Sequence, residues 1–164
     1  MQNISVTITL MKYISLLFIF LLGGCSLKNY EHSQSKLIVF KSSKFKFADT
    51  GYIRNSDKSI ALDMFTAGQR IERIEINHLI CVSAGCMTKS SFNNEYLHPS
   101  YPNELLQNVL LGHQIYEGEG LKKTQDGFEQ HIVNEDVEIR YKKTAQEISF
   151  KDQRNKILLK IKDL

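Results

Sequence analysis

Tryptophan is absent from this chain, proline occurs twice, and glycine nine times in 164 residues. So few chain breakers exclude collagen-like, proline-rich and linker-like architectures. A charge excess of one sign is missing too: 21 lysines and arginines face 18 acids, for a formal net charge of +3. That surplus reads as spread thinly along the chain, and it does not argue for nucleic acid as a partner. What is present suits one soluble folded domain. Hydrophobic residues make up 42% and charged residues 24%, and the length supports one hydrophobic core but not two ordinary ones.

The longest apolar run is short and lies near the start. Residues 13–22 (YISLLFIFLL) follow Met11-Lys12 and lead directly into Gly23, Gly24 and Cys25. Ten residues span about 15 Å as a helix, roughly half the hydrocarbon thickness of a bilayer, so the run suits a signal-peptide core better than a membrane span. The tetrad Leu22-Gly23-Gly24-Cys25 resembles the bacterial lipobox. That resemblance implies cleavage before Cys25, a thioether-linked diacylglycerol on its sulfur and a third, amide-linked acyl chain such as palmitate. An ordinary secreted protein with Cys25 merely nearby is the alternative, and the placement of Cys25 at the end of the apolar run argues against it. Residues 1–10 carry no basic residue, which makes Met11 a candidate for the true start. Two acyl chains hold a protein stably on a bilayer, so the expected attachment to the membrane is the lipid on Cys25. In Gram-negative lipoproteins an aspartate after the cysteine commonly marks inner-membrane retention. Ser26 stands there, and the resemblance implies the outer membrane, facing the periplasm.

Composition divides the chain into a signal peptide (1–24), a lipidated cysteine with a flexible polar tether (25–36) and one periplasmic domain (37–164). Ser33-x-x-Lys36 matches a nucleophile spacing of penicillin-recognising enzymes, but a flexible tether holds no oxyanion hole, and chance is the better explanation. The domain alternates like sheet. Residues 37–40 are apolar, and Phe45 and Phe47 alternate with lysines. Ile60, Leu62 and Met64 alternate, then Ile74 and Ile76 after a turn at residues 66–69. A two-residue turn at Asn77-His78 would pair Ile76 with Leu79 and Glu75 with Ile80. Val137, Ile139 and Tyr141, then Ile148 and Phe150, then residues 157–161 supply further strands. One segment has helical spacing. Residues 100–104 open it with Pro102 in the first turn, Leu105, Leu106, Val109 and Leu110 form one face, and Gly112 ends it. The expected fold is mainly β (α+β), a strongly bent antiparallel sheet or half-barrel covered by at least one amphipathic helix.

Cys81 and Cys86 flank a four-residue loop with glycine before the second cysteine, which places them opposite each other on a hairpin. With Cys25 consumed by lipid and the compartment oxidising, a structural disulfide is the expectation. A redox pair favours the tighter C-x-x-C, and a metal site from His78, Cys81 and Cys86 lacks a fourth ligand. His32, His98, His113 and His131 fall in no metal-binding or nucleophile motif, and Glu117, Glu119, Glu135 and Asp136 read as loop charges. No catalytic constellation, metal or cofactor is expected, and the chain reads as a non-enzyme.

Residues 103–118 (NELLQNVLLGHQIYEG), a Leu-rich helix ending in Leu110-Leu111-Gly112 before a final run of strands, resemble LolB of the LolA/LolB lipoprotein carrier and receptor family. The resemblance covers residues 40–164. It implies an outer-membrane acceptor that takes acylated lipoproteins from a periplasmic carrier and holds their acyl chains in an apolar cavity. The chain departs from the family in being shorter, in lacking tryptophan and in carrying the Cys81/Cys86 pair. Candidate cavity residues are Phe45, Phe47, Ile60, Leu62, Met64, Ile74 and Ile76 on the sheet and Leu105, Leu106, Val109 and Leu110 on the helix. The other function considered is a non-enzymatic adapter that binds another cell-envelope protein.

Overall fold

The computed structural model of the chain describes residues 32–56 and 59–164. The expected signal peptide, Cys25 and the first part of the tether lie outside the described residues. Eleven antiparallel strands form one open sheet. The first meander comprises β1 (His32–Lys41), β2 (Lys46–Ser56), β3 (Ser59–Thr66), β4 (Gln69–Ile76), β5 (Ile80–Val82) and β6 (Gly85–Met87). Two helices follow, α1 (Lys89–Tyr96) and α2 (Leu105–Leu111), and then a 3-10 turn at Tyr116–Gly118. The second meander is β7 (Leu121–Thr124), β8 (Gly127–Val133), β9 (Glu138–Lys143), β10 (Glu147–Asp152) and β11 (Ile157–Asp163). The strand order is β6-β5-β4-β3-β2-β1-β11-β10-β9-β8-β7, so the first and last strands meet in the middle.

Alternation sets the two faces. Ile38, Phe40, Ile60, Leu62, Met64, Ile74 and Ile76 in the first meander are buried on the face shared with Ile132, Ile139, Tyr141, Phe150, Leu159 and Ile161 in the second. The helices cover that face with Phe92, Tyr96, Leu105, Leu106, Val109 and Leu110. Phe45, Tyr96 and Phe92 stack in series, with centroids 5.4 and 4.7 Å apart, which ties the β1–β2 turn to α1. Gly51 allows a close crossing in β2: a Cβ there would lie 2.4 Å from the Ile38 side chain and 2.5 Å from the Asp63 carbonyl oxygen.

Several local expectations differ in detail. β1 begins at His32, so residues 32–36, polar enough to read as tether, pair with Gly51 to Asn55 in the sheet. Their polar side chains are tolerated because most of them face solvent. The β4–β5 link is one residue longer than expected: Ile76 faces Ile80, and Glu75 faces Cys81. Asn77 causes this, because its side-chain Oδ1 accepts from the Leu79 amide at 2.9 Å while its own amide donates to the Leu79 carbonyl. A one-residue shift flips side chains between faces, and here it buries Ile80 and leaves Leu79 exposed. Helix α2 starts after Pro102, at Leu105, and Gly112 ends it with φ 69° as expected. Cys81 and Cys86 are directly opposite, joined by a disulfide, with Cα atoms 3.9 Å apart.

A buried carboxylate ties the crossing segment to the sheet. Asp152, fully buried at the end of β10, accepts from Tyr101 Oη at 2.6 Å, from Asn155 Nδ2 at 2.8 Å and from the amides of Glu138, Arg154 and Asn155. Burial alone would raise its pKa; the hydrogen bonds from Tyr101, Asn155 and the backbone overcome that and hold it below the usual carboxylate value. A depressed pKa contributes stability that is present above the unfolded value near 4 and is lost as pH falls through the folded value. Asp152→Asn is therefore expected to lower unfolding free energy at pH 7 by about 1–3 kcal/mol and to flatten its decline below about pH 4, as measured by urea titration over pH 2–7. An unchanged acid limb would contradict this role for Asp152.

Candidate functional site

The chain between the two edge strands crosses the core face, and buried polar groups fix its path. Asn93 on α1 donates through Nδ2 to the carbonyls of Tyr101 and Pro102, at 3.0 and 3.2 Å. Gln130 on β8 accepts from the Ile115 amide at 2.9 Å and donates to the carbonyls of Ile115 and Glu119 at 2.9 and 2.8 Å. It thereby holds a turn in which Tyr116 and Glu117 both have positive φ, 45° and 54°, a conformation costly for side-chain-bearing residues. These contacts, with the Tyr101–Asp152 bond, seat α2 so that it packs against both β3 and β10.

Where α2 ends, a groove of about 400 Å³ opens. Its floor is apolar: Ile53, Ile60, Leu110, Leu111, Ile148 and Ile161. Its rim is polar and supplies nine of the sixteen lining residues, among them His32, Gln34 and Lys36 from the start of β1, Lys143 from β9 and the carboxylates Glu147 and Asp163. Lys36 is ion-paired with Asp163 across the β1–β11 pairing. The close approach of α2 to this rim depends on Gly112, where a Cβ would meet the Lys143 side chain at 3.2 Å and Ile148 at 3.4 Å.

All eleven residues expected to line a cavity are buried, from 0% exposure at Leu62 and Ile74 to 8% at Phe45. They belong to one contiguous core. The groove touches two of them, Ile60 and Leu110. Its remaining apolar floor comes from residues that sequence reasoning did not place there. Ile148 and Ile161 show strand alternation but nothing that marks proximity to a helix end. Leu111 sits beside the apolar stripe of its helix, as a boundary residue between core and solvent does.

The two outer flanks of the sheet differ in charge balance. On β2–β4, Asp63 is fully buried, 3.2 Å from Arg54 Nε, 3.6 Å from Arg70 Nη1 and 3.8 Å from Arg73 Nε, and Arg73 also lies 3.6 Å from Glu75. That cluster is largely self-neutralising. On β7–β11 the outer side chains include six cations, Lys122, Arg140, Lys142, Lys151, Lys160 and Lys162, against three acids, Glu129, Glu138 and Glu147, gathered from positions far apart in sequence. The thin spread of positive charge along the sequence is thus a concentrated face in the fold.

His78 sits exposed in the β4–β5 link, and the disulfide occupies both sulfurs considered as metal ligands. His98 hydrogen-bonds Ser100 through Nδ1 at 2.7 Å in the turn before α2. Comparison of the chain with protein-family models, with curated proteins and with solved structures found no match.

Gln130 is the polar group on which the crossing segment most depends. Gln130→Leu keeps the volume but leaves the Ile115 amide and two carbonyls without their partner. The expected loss is about 2–4 kcal/mol of unfolding free energy, read by urea denaturation. A change within about 0.5 kcal/mol would show that the turn holds itself.

Proposed function

We propose that this protein is a non-enzymatic lipoprotein of the cell envelope, anchored through acylated Cys25 in the outer membrane and facing the periplasm, that binds acyl chains in the groove at the end of α2. In this reading the sheet is a bent half-barrel and α2 its lid, and the role is that of a LolB-like acceptor of acylated lipoproteins delivered by a carrier. The bend is supported by one distance argument. β3 and β10 are four strand spacings apart in the sheet, about 19 Å if it were flat, whereas a helix with its side chains is about 10 Å across. A single helix packed against both strands favours a sheet curled around it. The irregular register between Met64 and Phe65 and the close crossing at Gly51 are the local devices that accompany such curling.

The groove is the observation that carries the reading. An apolar floor with a polar rim matches an acyl chain and its ester or carboxyl end. The groove shares its rim with His32, where the chain emerges from the segment that contains Cys25. Each methylene taken from water contributes about 0.8 kcal/mol, so eight of them give about 6 kcal/mol. A chain passing from one apolar groove to another gains little on balance, and modest differences in fit set the direction without any catalytic group.

The test is titration of a fluorescent fatty acid into residues 26–164. Saturable binding is expected, weakened about tenfold or more by Leu111→Glu, which places a charge on the groove floor at a half-buried position the fold tolerates. A folded protein that binds no fatty acid would contradict the carrier reading and favour the adapter.

A further inference from the structure

The outer face of β7–β11 carries more cations than acids: Lys122, Arg140, Lys142, Lys151, Lys160 and Lys162 stand against Glu129, Glu138 and Glu147, the last opposite Lys162. Strand register arranges most of them in two adjacent cross-strand rows. In one, Lys122 faces Glu129, Glu129 faces Lys142, Lys142 faces Ser149, and Ser149 faces Lys160. In the other, Arg140 faces Lys151, Lys151 faces Leu158, Leu158 faces Lys41, and Lys41 faces Lys46. The rows are two residues apart along each strand, about 7 Å. Ser149 is small, so the lysine stems around it wall a shallow groove of about 500 Å³.

This arrangement costs the isolated domain stability. Arg140 and Lys151 are like charges directly opposite each other, as are Lys41 and Lys46, and such pairs destabilise a sheet. Glu129 is the acid within the rows. It meets Lys142 at 3.3 Å with both side chains more than half exposed, a pairing worth little in water. The opposite flank shows how the same sheet treats cations where no ligand is needed: there Arg54, Arg70 and Arg73 surround a buried carboxylate.

We propose that this face docks on the anionic headgroups of a lipid bilayer. Three observations favour a membrane over an acidic protein. First, the cations are mostly lysines, and among the described residues the two rows hold no phenylalanine or tyrosine, since Tyr141 points inward against Phe128 and Phe150. Protein interfaces are depleted in lysine and anchored by aromatics, whereas lysine suits a field of mobile phosphates. Second, the lattice is broad and regular, extending over β7–β11 onto β1 and β2 rather than forming a pocket for one chain. Third, β11 is hydrogen-bonded to β1, the strand that leads back to Cys25, and His32 lies seven residues, about 23 Å, along β1 from Val39, the partner of Lys160. Six residues, 26–31, separate Cys25 from His32, and the seven steps reach at most about 25 Å. With the face turned toward the bilayer, a lipid on Cys25 is within that reach, and the α2 groove on the opposite face is left open to the aqueous side. The third observation rests on the reading that Cys25 is acylated; the first two do not.

Co-sedimentation of unacylated residues 26–164 with vesicles tests the face apart from the anchor and apart from fatty-acid binding. Every strand pairing and the entire core lie within that piece, and circular dichroism checks that it is folded. Binding is expected to phosphatidylcholine vesicles containing 30% phosphatidylglycerol, with little binding to phosphatidylcholine alone and release by 0.5 M salt. Lys151→Glu/Lys160→Glu should weaken it by more than about tenfold, since each cation near an anionic surface contributes about 1 kcal/mol and reversal adds repulsion. Lys89→Glu/Lys123→Glu, the same change in net charge placed on α1 over the core face and on the other side of β7, should change it less than about threefold. Equal loss in the two double variants, equal binding to neutral vesicles, or capture by polyglutamate without binding to anionic vesicles would each overturn the proposal.

Discussion

β1 and β11 hydrogen-bond along six residue pairs, from Lys36 opposite Asp163 to Lys41 opposite Leu158, and this pairing joins two meanders that are otherwise separate. The first strand of the domain and the last meet at the centre of the sheet, while β6 and β7, consecutive in the chain, form its two outer edges. The core follows from that seam. Ile38 and Phe40 on one side and Leu159 and Ile161 on the other are all but inaccessible to solvent, and neither meander buries its inner face alone. The groove depends on it too, since its rim and floor draw Gln34, Lys36, Ile53 and Ile60 from one meander and Lys143, Ile148 and Ile161 from the other. Such a seam is the most non-local pairing among the described strands, and non-local pairing of this kind slows folding.

The crossing segment is the second consequence of the same topology. Chain leaving β6 at one edge must return at β7 on the other, and it does so across the core face as α1, a turn and α2. Its apolar side chains, Phe92, Leu105, Leu106, Val109, Leu110 and Ile115 among them, are buried in the core, and its position is set by buried polar groups, Asn93, Gln130 and Asp152, each satisfied by specific carbonyls, amides or the Tyr101 hydroxyl. Buried hydrogen bonds of this kind add modest net stability but are severe when broken, which makes them fixers of geometry more than sources of cohesion. In consequence the end of α2 arrives beside Lys143 and Ile148 with one defined spacing.

Much of the sheet was legible from alternation alone. Ile60, Leu62 and Met64 share a buried face with Ile74 and Ile76, and the apolar stripe and Gly112 of α2 are where the spacing puts them. The Cys81–Cys86 hairpin was legible from loop length and glycine. Other features were not, for identifiable reasons. The β4–β5 register turned on a side-chain hydrogen bond from Asn77, which no periodicity encodes. Helix α1 has Phe92 and Tyr96 as its two apolar contacts and reads as a polar loop, although Thr88, which caps the Ser91 amide, was a signal available in the sequence. β7 and β8 are joined by the two-residue turn Gln125-Asp126, with Gly127 opening β8, a turn signal that the alternation of apolar residues does not carry. Ala61 and Asp63 are buried on the outer face of β3, where alternation assigns solvent, because arginines from β2 and β4 fold over them. The gathering of lysines is invisible in one dimension, since Lys122, Lys142, Lys151 and Lys160 come together only through the register of five strands.

The central claim is that an acyl chain binds where the two meanders and the end of α2 converge. Methyl-resolved NMR during titration with lauric acid tests it most directly. Shifts that saturate together at Ile53, Leu111, Ile148 and Ile161, with the methyls of Ile74 and Ile132 in the packed core unmoved, are the predicted result. Perturbation centred on the outer face around Leu158, or no saturable shift at the groove, would contradict it.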